Sequence, residues 1–272
     1  MNGPGTATSE VAPEFVDVRG RRTQVLRRGA GDPVLYLHSA TGETWWTELD
    51  EALANGDFEV FHPAHPGYEG SEGLAEIEDV HDLAFHTLDL LDALGVERTA
   101  VVGSSMGGWL AAELAVYAPE RVTRLVLVDA AGLGSPSVDM WAVRPPELAE
   151  VLFGDQDHWM AQLLHAIDLE TSMPPVEILM PLLQSMEAGA RIGWNPYMHD
   201  PKLAGRLHRV TAPTLVVWGD RDGLIPIAQG ERYAELIANA RLKTIAGCGH
   251  LPVLEDPLGL AEMVTTFLRD DR

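Results

Sequence analysis

Short apolar runs alternate with amphipathic ones along most of this chain. Residues 15–18 and 23–26 alternate polar and apolar positions around a glycine-containing turn, which predicts an outer β-hairpin. Residues 33–37, 58–61, 99–102, 124–128, 214–218 and 242–245 are short runs of the kind that form strands. Between them, helical spacing predicts helices over 45–53, 79–94, 109–117, 227–237 and 258–268. In the 79–94 run the apolar positions are Val80, Leu83, Ala84, Leu88, Leu91 and Leu94, close to the helical period. Buried-type strands separated by helices build a mainly parallel sheet covered on both faces, the doubly wound α/β class.

The alternation breaks between residues 132 and 210. Helical runs at 159–167 and 178–186 have no strand between them, and the stretch carries Trp141, Trp159, Trp194, Tyr197 and the proline pairs Pro145-Pro146 and Pro174-Pro175. It reads as a helical cap inserted between two strands. The expected organisation is a first part of the core over 1–132, with a loose tail over about 1–12, a cap over 133–210, and the rest of the core over 211–272. Open α/β sheets bind ligands at the C-terminal ends of their strands, so an insertion there roofs the binding site.

Composition narrows the function classes. The chain is 46% hydrophobic and 22% charged, an ordinary globular mixture, yet its formal net charge is −22. Such a charge repels phosphates, which argues against nucleic-acid or anionic-membrane partners and leaves a small-molecule substrate. Self-association into a homo-oligomer is compatible with it. The lone Cys248 cannot form an intramolecular disulfide. No early segment has the pattern of a signal peptide, and no apolar run approaches the ~18 residues of a membrane span. The expectation is a cytoplasmic protein. The arginines Arg19, Arg21, Arg22, Arg27 and Arg28 fall on the predicted hairpin and read as a solvated face.

Gly103-Ser104-Ser105-Met106-Gly107 follows the 99–102 strand and precedes a helical run. A serine in G-x-S-x-G at a strand-to-helix turn is a nucleophile elbow, whose tight bend exposes the hydroxyl. Ser105 is therefore the candidate nucleophile, and a serine needs a base within hydrogen-bond reach. Among the histidines, His250 is preferred because Gly247-Cys248-Gly249-His250 follows the last strand and can reach back over the sheet edge. The pairs His62/His65 and His81/His86 lack a carboxylate–histidine spacing typical of metal sites and read as ordinary loop and helix-surface residues. No metal and no cofactor are expected. The acid that orients the imidazole comes from Gly219-Asp220-Arg221-Asp222-Gly223 or from the tip of the 124–128 strand. Asp222 is placed first, Asp129 is its competitor, and Asp220 reads as a turn residue. Backbone N–H groups of Met106 and Ala40 are the candidate oxyanion donors.

Taken together, His38-Ser39, Pro66-Gly67-Tyr68-Glu69-Gly70-Ser71, the elbow, Trp218-Gly219-Asp220-Arg221-Asp222 and Gly249-His250 resemble the α/β-hydrolase superfamily, in its cap-bearing branch, over essentially the whole chain. Ser39 stands where that family usually has glycine, and Ala64 and Glu69 stand where it usually has Asp and Gly. The resemblance implies a Ser105–His250–Asp222 serine hydrolase. Serine at the elbow argues against the branches whose nucleophile is aspartate. Hydrolysis of a carboxylic ester or lactone is the first reading. The second is C–C bond hydrolysis of ring-fission products, whose enzymes typically carry Asn before the nucleophile and Trp after the base, where this chain has Ser104 and Leu251. The third is a non-hydrolytic ligand-binding or lyase-like member. His38, Ser39, Trp141, Trp159 and Arg191 are candidate substrate contacts, with Arg144 a further candidate partner for a substrate carboxylate.

Overall fold

A computed structural model describes residues 11–167 and 175–270. Residues 1–10 of the predicted tail, and Pro174, lie outside that range. The predicted hairpin is β1 (Glu14–Val18) and β2 (Arg21–Gly29), paired antiparallel. β2 joins β4 (Phe58–Pro63), also antiparallel. From there β3 (Asp32–Leu37), β5 (Thr99–Ser104), β6 (Val122–Val128), β7 (Thr214–Gly219) and β8 (Ala240–Ile245) run parallel, giving one eight-stranded sheet of order β1-β2-β4-β3-β5-β6-β7-β8. Every residue of β5 and β7 is buried, as central strands covered on both faces require.

Helices α1 (Glu48–Ala54), α2 (Val80–Ala93), α3 (Met106–Tyr117), α4 (Pro145–Leu152), α5 (Trp159–Ala166), α6 (Val176–Ile192), α7 (Ile227–Leu236), α8 (Pro252–Glu255) and α9 (Pro257–Arg269) complete the described structure, with short 3-10 turns. One apolar cluster joins α1 and α9 to one face of the sheet, through Leu49, Leu53, Leu260, Val264 and Phe267. The other joins α2, α3 and α7 to the opposite face, through Leu83, Leu90, Leu110, Leu114 and Tyr233. α3 is buried from Met106 to Val116 and apolar almost all round, so amphipathic periodicity cannot mark its start.

Two helix starts differ from the pattern-based expectation by three residues. α1 begins at Glu48 because Thr47 and Asp50 form a reciprocal capping box, which leaves Trp45 and Trp46 outside the helix. α3 begins at Met106, at the elbow itself. The insertion between β6 and β7 holds α4, α5 and α6, and Pro145-Pro146 opens α4 at its first positions, where a missing N–H is harmless. Its ends meet side by side: Gly132 donates to the Met198 carbonyl at 3.1 Å and accepts from Asp200 N–H at 2.9 Å. The hairpin arginines are all paired: Arg19 with Asp89, Arg21 with Glu76, Arg22 with Glu72, Arg27 with Glu59 and Arg28 with Glu51. Among the described residues no helix is long and apolar enough to cross a membrane.

Candidate active site

β5 ends in a turn with no room for a side chain two residues before or after the serine. A Cβ on Gly103 would stand 2.1 Å from the Gly107 carbonyl oxygen, and one on Gly107 would stand 2.1 Å from that of Leu37. Ser105 itself sits at φ 53°, ψ −115°, a conformation that a non-glycine residue adopts only when its surroundings impose it. They do so here. Its N–H donates to the Val128 carbonyl at 2.9 Å, and its carbonyl accepts from Trp109 and Ala131 N–H at 3.1 and 3.0 Å.

Ser105 Oγ lies 2.8 Å from His250 Nε2, and His250 Nδ1 lies 2.8 Å from Asp222 Oδ2. A carboxylate can only accept, so Nδ1 carries the proton toward Asp222 and Nε2 is left to accept from the serine hydroxyl. Asp222 Oδ1 accepts from Leu224 and Ile225 N–H, both at 2.8 Å, which fixes the carboxylate within its own turn. The loops bearing Asp222 and His250 lie against each other because residue 219 is glycine: a Cβ there would stand 2.0 Å from the Gly249 carbonyl oxygen.

The competing acids are placed differently. Asp220 is exposed and accepts from Gly247 N–H at 2.7 Å, a turn contact. Asp129 is buried beside the cluster, at φ 44°, and accepts from Gly219 N–H at 2.9 Å. Burial, and then the neighbouring Asp222, push its carboxyl well above the ordinary carboxylate range.

Met106 is the first residue of α3, where an N–H has no partner within the helix. Neither its N–H nor that of Ala40 is taken up by an acceptor among the described residues. Two residues that sequence reasoning missed shape the loop carrying Ala40. Buried Glu43 accepts from Ser39 N–H at 3.1 Å and Ser39 Oγ at 2.9 Å, and forms a short bond with Thr41 Oγ1. Tyr68 donates its hydroxyl to the Ala40 carbonyl at 3.0 Å. The signals were slight: a Glu after the loop glycine, and a Tyr in the Pro66–Ser71 segment.

Several candidate contacts are committed elsewhere. His38 is fully buried, with Nδ1 against the Ser39 carbonyl at 2.7 Å and Nε2 accepting from His65 N–H at 3.0 Å, so neither ring nitrogen is open to a substrate. Ser39 spends its hydroxyl on Glu43 and Thr41, which replaces the permissiveness of glycine with a bonded turn. Arg191 donates to the backbone carbonyls of Ile77 at 2.8 Å and Ala75 at 3.0 Å, and Arg144 forks onto Glu147 with its side chain 77% exposed. Trp159 is 36% exposed at the start of α5, with its ring beside His158. Trp141 remains near the site: its ring packs against Gly189 of α6, where a Cβ would stand 2.9 Å from the indole and 3.1 Å from the Tyr68 hydroxyl. Its Nε1 is buried, with no hydrogen-bond partner among the described residues.

The histidine pairs also differ from expectation. His62, His65 and His86 are buried, with His62 on Asp50 at 2.9 Å and His86 facing the Thr23 hydroxyl at 3.3 Å. Burial pushes His65 down to about 3 and His86 down to about 4, so both are neutral packing groups at ordinary pH. His81 meets Asp200 and Glu113. Those three, and separately Asp129, Asp222 and His250, are groups whose ligand-type atoms lie within 4.8 Å of one another. In the first an arginine, Arg206, already bonds both carboxylates. In the second, His250 donates from Nδ1 to Asp222 and accepts at Nε2 from Ser105, so both imidazole nitrogens are occupied.

The insertion reaches the site directly. His250 N–H donates to the Leu152 carbonyl at 2.7 Å and Gly223 N–H to that of Val151 at 3.1 Å, so the end of α4 holds both loops. Glu255 reinforces this, accepting from Gly154, Asp155 and Gly249 N–H at 2.8, 3.0 and 2.8 Å.

Known proteins align with this arrangement. The chain is 29% identical over 282 residues to the 2-hydroxymuconate semialdehyde hydrolase of Pseudomonas sp. (strain CF600), covering 99% of this chain and 98% of that one. It is 30% identical over 283 residues to the 2-hydroxy-6-oxononadienedioate/2-hydroxy-6-oxononatrienedioate hydrolase of Burkholderia vietnamiensis, covering 97% and 96%. The solved meta-cleavage product hydrolase of Pseudomonas fluorescens IP01 superposes with a TM-score of 0.80 at 21% identity, over 97% of this chain and all of that one, a likeness of fold. A model of the alpha/beta hydrolase family matches residues 34–263. With its mostly parallel sheet, its elbow and a family match over most of its length, the chain belongs to the α/β-hydrolase family.

Proposed function

We propose that the protein is a serine hydrolase that cleaves a carbon–carbon bond beside a carbonyl in a small conjugated keto acid of the ring-fission type. Ser105 attacks the carbonyl while His250 Nε2 takes its proton, and Asp222 holds the imidazole and offsets its positive charge. The N–H groups of Ala40 and Met106 stabilise the oxyanion of the tetrahedral intermediate. Collapse breaks the carbon–carbon bond, and the leaving carbanion, stabilised by conjugation, takes the proton from His250. Water activated by the same imidazole then releases the acyl group from Ser105. Residues 133–210 act as a cap over this site, inserted into a core of 1–132 and 211–272. The reading is carried by the likeness to two carbon–carbon hydrolases over almost the full length of each chain, together with the hydrogen-bonded Ser105, His250 and Asp222.

Ester or lactone hydrolysis is the second reading. It is favoured by Ser104 and Leu251 in place of the Asn and Trp that carbon–carbon hydrolases typically carry, and by the commitment of Arg191 and Arg144 to other partners. One panel separates the two: 2-hydroxymuconate semialdehyde and its aryl analogues beside p-nitrophenyl esters and simple lactones. The proposal expects kcat/KM at least about tenfold higher on the dienoates, a margin of ~1.4 kcal/mol in transition-state binding. A preference for esters or lactones overturns it.

A further inference from the structure

The two carboxyl groups nearest His250 are supplied with donors very unequally. Asp222 accepts Leu224 and Ile225 N–H on Oδ1, each at 2.8 Å, and His250 Nδ1–H on Oδ2 at 2.8 Å. Among the described residues Asp129, which follows β6, receives only Gly219 N–H at 2.9 Å, on Oδ1, and its buried Oδ2 has no such partner. The facing atoms of Asp129, Asp222 and His250 lie within 4.8 Å of one another, and both carboxyl side chains are out of solvent. The backbone at Asp129 is held at φ 44°, with its N–H on the Val217 carbonyl at 3.0 Å. Such strain persists only where the surroundings impose it, and here it accompanies an acid turned into the cluster.

Two ionised carboxylates this close and shielded from bulk solvent repel strongly, so the pair retains one proton. Glu255 of α8 adds a further negative field, the Cys248 thiol is kept neutral by burial, and the imidazole of His250 is the cation that forms during turnover. The donors decide where the shared proton resides. Asp222, with three, is the stable anion; Asp129, with one donor and a bare oxygen, is the stable acid. We propose that Asp129 is a positioning residue, an un-ionised carboxylic acid at neutral pH whose Oδ2–H is donated to the Asp222 carboxylate.

The consequence, which rests on the serine-hydrolase reading above, is a tuned base. A second ionised acid would stabilise the imidazolium and so weaken His250 as the acceptor of the Ser105 proton. A neutral acid donating to Asp222 does the reverse. It withdraws charge from the carboxylate and keeps the base available, while Asp222 still fixes the ring.

Three measurements on the full chain test this. The infrared difference spectrum of wild type minus Asp129→Asn at pH 7.5 should contain the carbonyl band of a buried, un-ionised carboxylic acid. The rate of Ser105 labelling by a fluorophosphonate, followed against pH, reports the titration of His250. Asp129→Asn supplies a neutral donor in the same place, so its midpoint should lie within about 0.3 unit of wild type. Asp129→Ala removes the donor and should raise the midpoint by about one unit. Absence of the infrared band overturns the proposal. So does a fall of about one unit in Asp129→Asn, the sign of a lost anion. An unchanged midpoint in folded Asp129→Ala removes the positioning role. If fluorophosphonate fails to label wild-type Ser105 at all, the serine-hydrolase reading fails, while the infrared band still decides where the proton lies.

Discussion

Helix α3 carries a histidine–carboxylate cluster at each of two levels, and they do opposite things. At its N-terminus, His250 stands between the side chain of Ser105 and that of Asp222, with Asp129 behind. In its second and third turns, Trp109 and Glu113 meet Asp200, Arg206 and His81, with the Tyr117 hydroxyl on His81 Nδ1 at 2.8 Å. The residue types are alike, the wiring is not. In the second cluster Arg206 bonds both acids, so the negative charge is met by a permanent cation. In the first, the cation that balances Asp222 is an imidazole whose charge can appear and vanish, and a hydroxyl lies within reach of it. A titratable cation beside a nucleophile suits catalysis; a fixed one suits anchoring. Asp200 and Arg206 come from the returning end of the insertion, so the second cluster fastens that end to the helix that begins with Ser105.

If this division of labour is right, the largest effects on rate belong to the N-terminal cluster. Ser105→Ala should lower kcat by about 10⁶ with the fold retained, because no other hydroxyl replaces the attacking oxygen. Steady-state kinetics with a burst assay check it, and retention of more than a few per cent of activity breaks the assignment. Asp222→Asn should lower kcat by about 10⁴, because an amide can donate to Nδ1 and hold the imidazole in the wrong tautomer. Substrate affinity should change little. A larger loss in Asp129→Asn than in Asp222→Asn would reverse the roles of the two acids.

The second cluster predicts the converse, a loss of stability with the chemistry spared. Arg206→Met keeps the aliphatic stem but leaves the fully buried Glu113 without its cation. Removing one partner of a buried pair costs roughly 3–5 kcal/mol, and the partial exposure of Arg206 argues for the lower end. About 3 kcal/mol lowers the melting temperature by roughly 6–12 °C in a chain of this size. Burial pushes the Glu113 carboxyl up while Arg206 pulls it down, so without the arginine Glu113 should hold a proton. Its kcat should stay within a few-fold of wild type. A large fall in kcat with an unchanged melting temperature would mean that the two clusters are coupled.

What the sequence carried follows the same line. The elbow, the loop order of serine, acid and base, and the sheet were legible because they depend on local spacing: a glycine where no Cβ fits, an acid three residues past a strand, apolar runs of strand length. The helix starts at Glu48 and Met106 were not, since a capping box overrode the apolar Trp45-Trp46 and burial removed the periodicity of α3. The second cluster was invisible, because His81, Glu113 and the Asp200–Arg206 pair come from three separate stretches of the chain and carry no motif. Long side chains misled for a related reason. Arg191 reads as a free cation, yet its guanidinium ends on two backbone carbonyls. His38 begins a family motif, yet one of its nitrogens meets the Ser39 carbonyl and the other the His65 N–H.

The smallest expected effect lies between the clusters and the insertion. Trp141 packs against Gly189 of α6 and borders Tyr68, which bonds the Ala40 carbonyl, so the indole stands one residue removed from the proposed oxyanion loop. Its buried Nε1 has no hydrogen-bond partner among the described residues. Trp141→Ala should therefore raise KM several-fold for a long or aryl-bearing substrate, through lost apolar contact worth ~1–2 kcal/mol. Turnover of p-nitrophenyl acetate should stay within about threefold, because a minimal acyl group needs only Ser105, His250, Asp222 and the two N–H donors. Trp159→Ala, at the exposed start of α5, serves as the control and should change neither value by more than about twofold. Equal losses on both substrates in folded Trp141→Ala would show that the indole supports the Tyr68–Ala40 loop, and would move Trp141 from substrate selection to the chemistry of the first cluster.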